Sequence, residues 1–365
     1  MDLAQCLSSA WISEHELEQA SSLTRTDAAR SLSGRFTTQL SNPGRSEAIS
    51  GSRRLRHCLE AAVFFLGMGF FRLFGVERAS AIGGWVGRTL IAPTRASRRA
   101  RANLALAFPE KSEADIEYIV RAMWDNLGRV GSEYGYLPLM HCTGPNPRIT
   151  VSGLEHVEAA LQRGKGIIPF SGHFANWEVL AYAVRDNGIV GSTIVRPTNN
   201  PYVNRWLERT RAENGMPDQI PKGPRGARRA FALLRSQRHV CMMVDQRTSE
   251  GIPALFFGHD VMTTPLPAAL ALKLGVTLLP VSNERLPGAC FHVRFYPPIE
   301  LPNSGDYERN LWALTAKLTE FIEARVRERP EQWLWIHRRW QAKGAVLRKR
   351  AQALASDHAS DETEA

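Results

Sequence analysis

The chain has 365 residues, 44% of them hydrophobic, a formal net charge of +10 and a pI near 9.7. That is enough apolar material for one large core or two smaller ones, and the basic balance points to nucleic acid, anionic lipid headgroups or an acidic protein as partner. The five cysteines, at 6, 58, 142, 241 and 290, are odd in number and include no CxxC pair. Reduced thiols are therefore expected rather than a disulfide framework. With no HExxH and no Cys/His set at ligand spacing, no metal or cofactor is expected.

Residues 1–52 are rich in Ser, Thr, Ala and Gln and lack the apolar core of a signal peptide. They read as a disordered extension with room for a short helix at Glu14–Ala20. Arg53-Arg54-Leu55-Arg56 then leads into the apolar run Leu59–Phe71, bracketed by Glu60 and Arg72. The run is shorter than the roughly 20 residues that cross a bilayer, though Leu73–Val76 could extend it. A marginal span, a helix lying in one leaflet and an ordinary buried helix are all open. The strongly basic flanks favour membrane attachment near 55–76.

Residues 53–140 form a helical N-terminal region, with Ile116, Ile119, Val120, Met123 and Leu127 at helical spacing within Ser112–Leu139. From 141 to 345 short apolar runs alternate with amphipathic helices. Strands are predicted at Ile149–Val151, Gly166–Phe170, Ser192–Val195, His239–Val244, Ala254–Phe257, Thr277–Val281 and Cys290–Phe295. Helices are predicted at Glu155–Arg163, Asn176–Arg185, Pro201–Asn214, Gly226–Ser236, Pro265–Leu274 and Asp306–Arg329. The alternation specifies an α/β fold, a mixed sheet covered by helices, behind a membrane-associated helical segment. Residues 346–365 read as a polar tail. Three basic regions, at 78–101, 205–238 and 338–350, stand beside the apolar run. With no helix-turn-helix, zinc finger or RNP pattern, they favour a membrane surface over nucleic acid.

The chemistry sits where predicted strands end. Ser171-Gly172-His173-Phe174-Ala175-Asn176-Trp177-Glu178 follows the run Gly166–Phe170, on the edge of an α/β sheet where ligands bind. An imidazole steadied by a carboxylate can take a proton from a hydroxyl near neutral pH, the minimum equipment for acyl transfer to an alcohol. Glu178 is the expected carboxylate. Ser171 is not in a GxSxG elbow, because Pro169 and His173 occupy the glycine positions. Arg196 closes the next strand and could grip a phosphate with a forked guanidinium, with Asn200 capping a helix that opens at Pro201. Asp245 and Gln246 end another strand. Thr264 could cap a helix opening at Pro265, whose N-terminus would face an anion or oxyanion.

These blocks together resemble the bacterial lipid A late acyltransferases, the lauroyl/myristoyl group within the glycerolipid acyltransferase superfamily. The resemblance runs from about Arg53 to Lys343. It rests on His173-x4-Glu178, Arg196-Pro197 with Asn199-Asn200-Pro201, Asp245-Gln246, Phe256-Phe257-Gly258 with Thr263-Thr264-Pro265, Pro330-Glu331-Gln332-Trp333 through His337-Arg338-Arg339, and Asn103–Pro109 upstream. It implies an enzyme of the bacterial inner membrane with its site at the cytoplasmic face, an acyl carrier protein thioester as donor, and a hydroxyl on a phosphorylated glucosamine lipid A precursor as acceptor. His173 would be the base and Glu178 its orienting acid. Asn176 with nearby amides would hold the oxyanion and Arg196 an acceptor phosphate. Asn199, Asp245, Gln246 and Thr264 would shape the substrate site. Acyl-CoA-dependent acylation of a glycerolipid or of a phosphatidylinositol mannoside is the alternative enzyme, and a non-catalytic binder of anionic lipid the alternative outside catalysis.

Overall fold

A computed structural model describes residues 51–213, 216–249 and 251–340. The expected extension up to residue 50, the helix at Glu14–Ala20 and the basic and polar tail beyond 340 lie outside the described residues. Gly51 and Ser52 already belong to the first helix, α1 (Gly51–Arg72).

Four helices form the N-terminal region: α1, α2 (Val76–Val86), α3 (Arg98–Ala107) and α4 (Glu113–Glu133). Ser112 opens α4 with a capping box, its hydroxyl accepting from the Asp115 amide while the Asp115 carboxylate takes the Ser112 amide. The α2 and α4 backbones touch through glycines. A Cβ on Gly128 would sit 2.1 Å from the Gly83 carbonyl oxygen, so only hydrogen fits there.

The first helix is not a buried one. Only His57, Ala61 and Met68 are buried along it. Leu55, Leu59, Val63, Leu66 and Phe70, with Leu73 just beyond, are exposed at helical spacing on one stripe. No helix among the described residues is long and apolar enough to cross a membrane. The other face of α1 is tied to the domain. Phe64 lies 5.6 Å from Trp206, Asn200 donates to the His57 carbonyl at 2.8 Å, and Tyr136 donates to the Phe71 carbonyl at 2.7 Å.

The rest is an α/β domain. Its strands are β1 (Ile149–Ser152), β2 (Ile167–Ser171), β3 (Gly191–Val195), β4 (Asp218–Pro221), β5 (His239–Met243), β6 (Ile252–Phe256), β7 (His259–Thr263), β8 (Thr277–Leu286) and β9 (Cys290–Phe295). Seven form one sheet in the order β1-β9-β8-β2-β5-β3-β4. Every neighbour pair in it is parallel except β8 with β9. The β6–β7 hairpin stands apart. The helices are α5 (Leu154–Gln162), α6 (Val179–Asp186), α7 (Pro201–Glu213), α8 (Pro224–Arg235), α9 (Leu266–Leu274) and α10 (Tyr307–Glu328). Ile167–Ser171 is buried throughout, as a central parallel strand covered on both faces must be. Two apolar clusters flank it, one through Phe170, Leu278, Leu314 and Trp333, the other through Ile167, Tyr182, Leu279 and Phe291.

Candidate active site

The strand order decides the site. Strands β2 and β5 are parallel neighbours, with Ser171 opposite Met243. The residues just past their C-terminal ends, Gly172-His173 and Val244-Asp245, therefore emerge side by side. His173 Nδ1 lies 2.8 Å from Asp245 Oδ1, and the His173 backbone amide donates to Asp245 Oδ2 at 2.7 Å. Trp333 Nε1 donates to the same Oδ2 at 2.9 Å. Asp245 is fully buried. Burial alone would raise its pKa, but the charge of His173 whenever its ring is protonated and the two hydrogen bonds from His173 outweigh that and hold the carboxyl well below its ordinary range. An ionised acceptor on Nδ1 fixes the ring as the Nδ1–H tautomer, leaving the Nε2 lone pair for a substrate proton.

Asp245, rather than Glu178, is thus the carboxylate on the imidazole. Glu178 turns away to α7. Arg211 clamps it through one edge of its guanidinium, Nε donating to Oε2 at 2.9 Å and Nη2 to Oε1 at 2.5 Å, and the Tyr134 hydroxyl donates at 3.2 Å. Burial pushes the Glu178 carboxyl up, and the Arg211 charge and hydrogen bonds bring it below its usual value. Its charge is spent on a buried ion pair that forms one wall of the site cavity. The five-residue spacing does not deliver Glu178 to the ring because residues 173–178 are not a helix. Ala175 has φ 44°, in the left-handed region, and α6 starts only at Val179.

Asn176 is also placed otherwise than expected. It is buried, its amide nitrogen donating to Glu133 Oε2 at 2.9 Å while its oxygen accepts from the Glu178 amide. It braces the loop instead of facing an oxyanion. Glu133, itself fully buried, is paired with Arg285, which also donates to Asn126 Oδ1; Asn126 in turn donates to the Ala175 carbonyl at 3.1 Å. The Ala175 amide donates to the Gln332 carbonyl at 2.8 Å, and Phe174 bridges to Trp333. The loop is thereby sewn to α4 and to the C-terminal segment. Gly172 permits the close turn: a Cβ there would lie 2.8 Å from the Phe174 ring and 3.2 Å from Asp245 Oδ2.

His173 opens onto a cavity of about 360 Å3, the size of a small-molecule site. One part is apolar, with Leu180, Ala181, Val184, Met216 and Val281. Another is cationic, with Arg196 and Lys222; Gln246 and His337 close it near the imidazole. Burial lowers the Lys222 pKa and the nearby Arg196 charge lowers it further, against the pull of Asp245. Arg196 is exposed at the end of β3, where a ligand can reach it. Asn199 is exposed and does not line the cavity, whereas Asn200 caps α7 by accepting from the Tyr202 and Val203 amides. Thr264 Oγ1 accepts from the Leu266 amide at 3.4 Å; it lines a neighbouring cavity that Gln246 also lines. Among the described residues there is no group of three or more His, Cys, Asp or Glu side chains set to hold a metal ion.

Sequence reasoning left the roles of Trp333, Arg211 and His337 unread. Asp245 carried a usable signal, a buried-strand carboxylate on the same sheet edge as His173, but its partner depends on strand order.

A sequence model of the bacterial lipid A biosynthesis acyltransferases matches residues 49–342. The chain belongs to that family. It is 29% identical over 255 residues to the lipid A biosynthesis lauroyltransferase of Escherichia coli K12, covering 66% of this chain and 78% of that one. It is 25% identical over 239 residues to a phosphatidylinositol mannoside acyltransferase of Mycolicibacterium smegmatis, with 64% and 76% covered. It is 25% identical over 256 residues to the Escherichia coli K12 palmitoleoyltransferase of lipid A biosynthesis, with 67% and 78% covered. The protein is an acyltransferase of glycolipid biosynthesis.

Proposed function

We propose that this acyltransferase moves a fatty acyl chain from an acyl carrier protein thioester to a hydroxyl of a lipid A precursor, at the cytoplasmic face of the bacterial inner membrane. The observation that carries the reading is His173, on the wall of a cavity lined both by apolar side chains and by Arg196 and Lys222, with the buried Asp245 carboxylate on its Nδ1. His173 Nε2 takes the proton of the acceptor hydroxyl, and the imidazolium is stabilised by the Asp245 carboxylate. The oxygen attacks the thioester carbonyl, the carbon–sulfur bond breaks, and the leaving thiolate takes the proton back from His173. No acyl-enzyme is required. The apolar part suits the acyl chain, and Arg196 and Lys222 suit a phosphate on the acceptor.

The acceptor assignment is supported by family membership and by the lauroyltransferase relative. The donor assignment is supported by the basic surface, since acyl carrier protein is acidic. Attachment to an anionic membrane surface is supported by the exposed stripe of α1 with Arg53, Arg54, Arg56 and Arg72 beside it.

The test is reconstitution of the full chain with acyl carrier protein and CoA thioesters, each against a lipid A precursor and a phosphatidylinositol mannoside. Product on the lipid A precursor from the carrier-protein donor is expected, together with its loss in His173→Ala. Product on the mannoside alone moves the acceptor assignment to that glycolipid. Near-normal turnover by folded His173→Ala removes the mechanism.

A further inference from the structure

One side-chain group sits where the acceptor hydroxyl must come. Gln246 Nε2 lies 3.2 Å from His173 Nε2 and 3.2 Å from His337 Nε2, and Lys222 Nζ donates to Gln246 Oε1 at 3.0 Å. Only one assignment of donors satisfies all three contacts with neutral rings. Lysine has donors and no acceptor, so the amide oxygen faces it. The amide then turns its two N–H groups to the two imidazoles, and each Nε2 must offer a lone pair. For His173 this agrees with the proton already placed on Nδ1 by Asp245.

We propose that His337 is a positioning residue of the transfer reaction: by accepting one N–H of the Gln246 amide it keeps the other on His173 Nε2, so that the base meets the acceptor unprotonated at the atom that takes the hydroxyl proton. The arriving hydroxyl replaces the Gln246 N–H on Nε2, and the amide keeps its hold on His337 and Lys222. The inference rests on the reading of His173 as base.

The rest of the molecule holds His337 for this task. Asn103 of α3 donates to the His337 carbonyl at 2.8 Å and to the Trp335 carbonyl at 2.7 Å, and Arg99 donates to the Ile336 carbonyl at 3.1 Å. The two rings lie 5.4 Å apart. The charged groups facing His337 are Asp245, which favours its protonation, and His173, Lys222 and Arg99, which oppose it. Burial weighs most, and with those cations it lowers the pKa to about 4. The ring is therefore a neutral acceptor across the working range, as the amide geometry requires.

The experiment is a pH titration of the full chain carrying 15N-histidine, with long-range 1H–15N spectra reporting the tautomer and protonation of His173. Where the ring is neutral, wild type should show the Nδ1–H tautomer. In His337→Phe the Gln246 amide loses its anchor. A hydrogen bond to the neutral form of His173 weakens, and its protonation midpoint rises by about 0.5 pH unit or more, roughly threefold in proton affinity. The acid limb of kcat/KM moves with it. His337→Gln, which restores an acceptor oxygen, returns both toward wild type. Lys222→Met releases the same amide from its other end without altering the Trp333–His337 segment, and a rise at least as large is expected, since the lost cation adds to it. An unchanged His173 titration in folded His337→Phe, or in Lys222→Met should the former not fold, overturns the inference. The spectra need no turnover, so a wild type that titrates as described but transfers no acyl group would refute the functional reading alone.

Discussion

At the scale of single residues, two carboxylates within reach of one cavity do different work, and their surroundings decide which. Asp245 faces an imidazole, an amide and an indole N–H; Glu178 faces a guanidinium and a phenol. Asp245→Asn presents an amide where an ionised acceptor fixed the tautomer. A loss of roughly 10³–10⁴-fold in kcat is expected, as for the acid of a triad. Glu178→Gln should act first on stability, because it strands the Arg211 charge in the wall, at a cost of about 3 kcal/mol. Its kcat loss should be at least about tenfold smaller than that of Asp245→Asn. Paired measurements of kcat and Tm check both, and the reverse order of kcat losses would return the orienting role to Glu178. His337 gives a second prediction. Its pKa is about 4 in the fold against 6.5 as the ordinary value. Between those pH values the unfolded chain binds the extra proton, so the fold loses stability as pH falls from 6.5 to 4. At 1.36 kcal/mol per unit, that loss is at most about 3 kcal/mol. Denaturant unfolding at several pH values should show the slope flattened by this amount in His337→Gln, and parallel curves for the two proteins would contradict it.

At the scale of elements, α1 poses the sharpest question. Its outer stripe exposes Leu66 at 73% and Val63 at 70%, while its inner face is committed to Trp206, Asn200 and Tyr136. A charge on the stripe should therefore leave the fold intact and weaken only contact with lipid. Leu66→Glu is expected to reduce sedimentation with anionic phospholipid vesicles about tenfold or more, from lost apolar burial plus repulsion, with Tm unchanged. Equal sedimentation of the two proteins would remove the surface-helix reading. The same elements show what the chain pattern can carry. The alternation of strands and helices was readable because each buried strand is a short apolar run. Strand β4 was not, since Asp218-Gln219-Ile220-Pro221 has one apolar β-former, and β7 opens on His259-Asp260. Strand β8 outruns its apolar start through Ser282-Asn283-Glu284-Arg285, where Asn283 donates to the Asn176 carbonyl, Arg285 meets Gln332 and Glu133, and Ser282 and Glu284 pair with Tyr296 and Arg329. The His173 loop itself was legible. Its carboxylate partner was not, because local spacing favours Glu178, whereas the pairing of β2 with β5 joins residues 72 apart.

For the molecule as a whole, the proposed reaction asks charge and apolar surface to divide the labour of bringing two very different substrates to one imidazole. On that reading the donor chain and the acceptor lipid need apolar contact, which the cavity and the α1 stripe would offer at short range. Long-range attraction has to come from the net charge of +10, which includes Arg205, Arg209, Arg225, Arg228 and Arg229 on the helices that follow β3 and β4. Steering of this kind falls steeply as salt rises, because the Debye length shortens from about 10 Å at 0.1 M toward 3 Å at 1 M. A protein donor spreads its acidic residues over a wide face, while CoA carries its phosphates at one end. The kcat/KM for the carrier-protein thioester should therefore fall by about tenfold or more between 0.05 and 0.5 M salt, with kcat much less affected, since encounter and not chemistry is screened. The same titration with the CoA thioester should be shallower. Arg225→Glu combined with Arg228→Glu should lower kcat/KM for the carrier-protein donor and leave the CoA donor nearly unchanged, because these side chains are exposed and lie outside the cavity. Matching salt slopes for the two donors, or equal losses in the double variant, would mean that the thioester is recognised through its acyl chain and not through the protein that carries it.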